Sequence, residues 1–130
     1  MIELHAGTPF YIDDPAAPCL AVGFADQRDS SRFVGFERAY RIEPDDGRYL
    51  DRRVSVEFGF DEPLRGIYAD VIDTVRLQPD RLTLVLKGEL HGTVVIHFAA
   101  AGLDYDRLAM TLGVLFDDTG QLLIGADDDR

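Results

Sequence analysis

Two histidines, His91 and His97, stand six residues apart with a glycine turn residue between them. A histidine metal centre needs ligands at helical spacing or facing each other across a hairpin. This pair has neither, so the sequence points to no metal. Cys19 is the sole cysteine, which rules out an internal disulfide. It opens an apolar stretch, and with no partner base in view it reads as a small buried hydrophobe rather than a nucleophile. The glycines form no phosphate-cradling run, and nothing calls for a cofactor. Asp45, Asp46, Asp61 and Glu62 make a cation site or a general acid–base pair only if folding gathers them. Without calcium-loop spacing, solvated loop charge is the simpler reading. Arg38 and Glu57 differ because each falls inside a strand pattern. Arg38 interrupts an apolar face, and a buried arginine demands an acidic partner. Glu57, Asp70 and Asp73 could each serve, which makes Arg38 and Glu57 candidates for a structural ion pair. Arg38→Ala is accordingly expected to destabilise the domain more than Arg41→Ala.

The positioning elements follow from pattern and composition. At 130 residues with 46% apolar content and eight Phe, the chain is sized for one domain, 1–130, burying about two-thirds of its unfolded surface. An acidic tail occupies about 125–130. The 24 Asp and Glu against 13 Lys and Arg leave a net charge of −11. Such a surface repels phosphate backbones and anionic lipid, so nucleic acid and membranes are poor partners and a basic molecule is a good one. No basic region followed by an apolar run opens the chain, and no segment reaches the roughly 18 apolar residues of a membrane span. The expected location is the cytoplasm.

Short strand signals at 2–4 and 10–12 precede a clearer one at 19–24. From 32 to 42 the pattern alternates, with Val34, Phe36, Tyr40 and Ile42 on one face, and Val54, Val56, Phe58 and Phe60 repeat it. A hairpin is expected from 67–77 to 82–86 around Gln78-Pro79-Asp80-Arg81, followed by a strand through Val94, Ile96 and Phe98. The period then changes. Asp104 is a candidate N-cap, and Tyr105, Leu108, Ala109, Leu112, Leu115 and Phe116 share one helical face. The expected fold is α+β: an antiparallel sheet of about six to eight strands with one C-terminal amphipathic helix packed on it.

The segments 20–26, 33–38, 54–58 and 66–68, the hairpin 75–77 to 82–84, the strand 94–98 and the amphipathic helix follow one another in an order that resembles the tenth immunity-protein family of bacterial polymorphic toxin systems. The resemblance spans about residues 19–116. It implies an α+β domain that binds and neutralises a cognate toxin stoichiometrically, with nothing turned over and therefore no enzyme. A toxin that attacks nucleic acid carries a basic cleft, which an acidic domain can occupy by complementary potential. On that reading the candidate toxin-binding acids are Asp26, Asp29, Asp45, Asp46, Asp61, Glu62 and Asp70. The candidate aromatic anchors are Phe33, Tyr49 and Tyr68. Two other classes remain open: a ligand-binding or enzymatic pocket between sheet and helix where Arg38, Glu57 and His97 converge, and a subunit that self-assembles through a free strand edge.

Overall fold

The computed structural model describes residues 1–14, 16, 18–42, 48–50, 53–98 and 103–125. Among these, eleven strands and one α-helix form an α+β fold, and the helix is C-terminal. The strands divide between two sheets. The first runs β1 (Ile2–Ala6), β10 (Gly92–Phe98), β9 (Arg81–Leu86), β8 (Ile72–Gln78), β11 (Leu122–Ile124). The second runs β2 (Phe10–Asp14), β3 (Cys19–Ala25), β4 (Phe33–Ile42), β6 (Ser55–Gly59), β7 (Arg65–Ala69), with β5 (Arg48–Leu50) added along β4. Pairing is antiparallel except at the two margins of the first sheet, where β1 lies parallel to β10 and β11 parallel to β8.

Alternation of side chains explains why these strands form. In β9 and β10 every second residue is buried, placing Leu82, Leu84, Leu86, Val94, Ile96 and Phe98 in the core. In the second sheet Val22, Phe24, Val34, Phe36, Val56 and Phe58 face the same core from the other side. Aromatic packing links the layers: Phe24 of β3 meets Phe98 of β10 at 5.8 Å, and Phe36 of β4 meets Phe116 edge-on at 5.4 Å. Such pairs add about 1 kcal/mol each beyond area burial.

The expected strand over 67–77 is two strands in different sheets. β7 ends at Ala69, and Asp70 takes φ 62°, a left-handed conformation that short acidic side chains tolerate. The chain then crosses to begin β8 in the first sheet. At the other corner an isolated bridge between Ala6 and Asp26 ties the end of β1 to the end of β3.

Helix α1 (Tyr105–Leu115) begins as its sequence indicates, with the Asp104 carboxylate accepting the Arg107 N–H at 3.0 Å. Leu108, Leu112 and Leu115 are fully buried on one face. Gly113 lies on the opposite face, where an added Cβ meets nothing within 4 Å. Replacing it by alanine removes backbone freedom from the unfolded chain and adds no clash. Gly113→Ala is therefore expected to stabilise the domain by about 1 kcal/mol and to raise the thermal midpoint by about 4 °C. An unchanged or lower midpoint in a melting experiment would contradict this placement of the helix.

Candidate functional site

The β3–β4 turn and the β6–β7 loop meet at one end of the second sheet, and between them lies an open groove of about 830 Å³. Four carboxylates line it, those of Asp29, Glu57, Asp61 and Glu62, together with the guanidinium groups of Arg32 and Arg65. Phe33 and Phe60 supply apolar wall. Phe33 sits here because Gly59 on the neighbouring strand has no side chain: a Cβ at Gly59 would lie 2.3 Å from the Phe33 ring and 2.7 Å from the Ser31 carbonyl. Glycine inside a strand thus marks a close approach by another group.

Local hydrogen bonds fix the two acidic rims. Asp29 accepts the Ser31 hydroxyl at 2.6 Å and the Ser31 N–H at 3.1 Å. These bonds, the hydroxyl first, hold its carboxyl below the usual range and keep it charged. On the opposite rim Leu64 N–H donates to the Asp61 carbonyl, and Phe60 N–H to the Leu64 carbonyl, both at 3.0 Å. That loop leaves the Asp61 and Glu62 side chains exposed.

Asp26 behaves otherwise. It is only 7% exposed, and its Oδ1 accepts the N–H of Arg28 at 2.8 Å and of Asp29 at 3.3 Å. Its Oδ2 takes the His5 N–H at 3.4 Å and lies 3.6 Å from Arg32. The residue organises the β3–β4 turn and anchors β1, so it is withdrawn from any partner. The Arg28 N–H is the main cause of its lowered pKa; desolvation opposes this, while the His5 and Asp29 N–H groups and Arg32 reinforce it. A pKa lowered by folding contributes stability that is full above the ordinary carboxylate value and is lost as pH falls through the folded value. Asp26→Asn is expected to lower the urea midpoint at neutral pH, with the gap from wild type closing on acidification. A gap constant with pH would contradict this assignment.

The remaining expected site residues lie elsewhere. Tyr68 turns inward opposite Val56, packs 6.2 Å from Phe58, and places its hydroxyl 2.8 Å from the Arg65 carbonyl and 3.0 Å from that of Pro63. It braces the groove loop from beneath and is not an exposed anchor. Asp70 is exposed at the β7–β8 crossing, paired with Arg53 at 3.5 Å, away from the groove. Asp45, Asp46 and the side chain of Tyr49 lie outside the described residues.

The Arg38–Glu57 pairing is corrected by strand register. Arg38 is 5% exposed and faces the core side of β4, whereas Glu57 is exposed on the opposite face of the sheet. The Arg38 Nη1 donates to the carbonyls of Leu115 at 3.0 Å and Asp117 at 2.8 Å. These belong to the end of α1, which has no basic residue in its last turn. A guanidinium from β4 therefore meets the carbonyls and the negative dipole end that the helix itself leaves unsatisfied. His97 projects from the outer face of the first sheet, so Arg38, Glu57 and His97 do not converge.

Arg32, Arg65 and Phe60 are groove residues that sequence reasoning missed. Gly59 inside the β6 alternation, flanked by Phe58 and Phe60, was the available signal. The chain matches no protein-family model and no curated protein. No helix among the described residues is long and apolar enough to cross a membrane.

Proposed function

We propose that the chain is an acidic capture domain of the immunity-protein kind, which binds a basic toxin domain stoichiometrically in the cytoplasm and blocks it without turnover. The observation that carries this reading is the convergence of Asp29, Glu57, Asp61 and Glu62 around Phe33 in one open groove. An extended Lys or Arg of the partner can run its apolar stem along Phe33 and place its cationic head among the carboxylates. The net charge of −11 adds a field that steers a basic partner towards the surface. Specific affinity then comes from the few desolvated contacts at the groove centre, with rim charge setting the association rate.

The test is capture from the host by the tagged full chain, in parallel with the double variant Asp61→Lys, Glu62→Lys. The expected result is a basic domain from the end of a larger secreted protein, retained by wild type and lost by the variant. Equal capture by both proteins would remove the groove from the interface. Recovery of a small cationic metabolite alone would transfer the groove to ligand binding.

A further inference from the structure

Outside the groove, the outer face of the first sheet gathers three potential metal ligands from residues distant in sequence. Glu3 and His5 are two apart on β1 and share one face, and the parallel register of β1 with β10 sets His5 directly beside His97. The two imidazoles stack with centroids 4.8 Å apart and planes 16° from parallel. The Glu3 carboxylate lies 2.9 Å from His97 Nε2, and one ligand atom from each of the three residues lies within 4.8 Å of the other two.

We propose that Glu3, His5 and His97 form a binding site for a late first-row divalent metal ion, Zn²⁺ in particular, with a fourth position open to solvent. Two nitrogen donors and one carboxylate make a set that suits zinc and disfavours the all-oxygen preference of calcium and magnesium. Zinc bonds of about 2.0–2.2 Å place tetrahedral ligands about 3.3 Å apart. The present spread therefore has to contract by rotation of side chains, and Glu3 and His97 are 54% and 32% exposed and free to move in that way. The backbone needs no change. The His5 carbonyl accepts the Gln27 N–H at 2.9 Å, its N–H meets Asp26, and the paired strands fix the spacing of all three Cα atoms. Such prior ordering of the ligand-bearing backbone lowers the entropy cost of closing the site. The site is independent of the capture reading and stands or falls separately.

The experiment is a calorimetric titration of the full chain with ZnCl₂ in excess Mg²⁺, which saturates non-specific carboxylate binding, with histidine side-chain resonances followed by NMR. The expected result is saturable uptake of one Zn²⁺ per chain, with the His5 and His97 signals shifted and that of His91 unmoved. His5→Ala and His97→Ala should each weaken binding at least tenfold, Glu3→Gln less, and His91→Ala not at all. His5→Gln and His97→Gln, which preserve more side-chain bulk, serve if an alanine variant is misfolded. Absence of saturable uptake, or equal uptake after both histidines are replaced, would overturn the proposal.

Discussion

Arg38→Ala is expected to cost about 3 kcal/mol of folding stability, because a buried hydrogen-bonded charge is removed and its acceptors lose their donor. The acceptors are the Leu115 and Asp117 carbonyls at the end of α1, reached by one nitrogen whose two hydrogens serve one carbonyl each. Without the guanidinium, the end of the helix keeps its negative partial charge against an apolar sheet. The thermal midpoint should fall by about 10 °C. Arg38→Lys should recover only part of the loss, since an ammonium lacks the planar fork that fixes the guanidinium. Arg53→Ala is the comparison, because Arg53 is 64% exposed and its pair with Asp70 is screened by water. Its midpoint should move little, and equal losses for Arg38→Ala and Arg53→Ala would refute the strand register.

The second large effect is on association. Reversing Asp61 and Glu62 to lysine changes the groove potential by four charges in a site that two arginines already offset in part. The association rate with the captured basic domain should fall about tenfold or more at low ionic strength, and the difference should shrink as salt screens it. Folding should be unaffected because both side chains are exposed and outside the core. Association kinetics by surface resonance at two salt concentrations check this outcome, with the double variant Asp73→Lys, Glu89→Lys, also a change of four charges at exposed positions away from the groove, as the comparison. An effect of equal size from that pair would show that net charge alone is responsible.

Much of the fold was legible because its signals are local. β3, β4, β6, β9 and β10 follow period-two alternation, and α1 with its Asp104 cap follows a change of period and a short polar residue. What was not legible depends on distance along the chain. The parallel pairings of β1 with β10 and β11 with β8 join segments far apart, and short strands such as Leu122–Ile124 carry little pattern of their own. The strand expected over 67–77 runs through Asp70, where a single left-handed residue sends the chain to another sheet. The site divides in the same way. Asp29, Phe33, Asp61 and Glu62 were identifiable by type, but their assembly required the β4–β6 register and the missing side chain at Gly59. Arg38 was read as buried, which it is, and as in need of an acidic partner. It donates to the backbone carbonyls of Leu115 and Asp117, and a backbone acceptor has no signature in a sequence.

The capture reading is tested most directly by growth. Cells expressing the captured toxin domain are supplied with the wild-type chain or with the Asp61→Lys, Glu62→Lys variant at equal levels, and survival is scored. Survival with wild type and death with the variant are the expected results. Death with both, or equal protection by both, would contradict the groove as the seat of neutralisation.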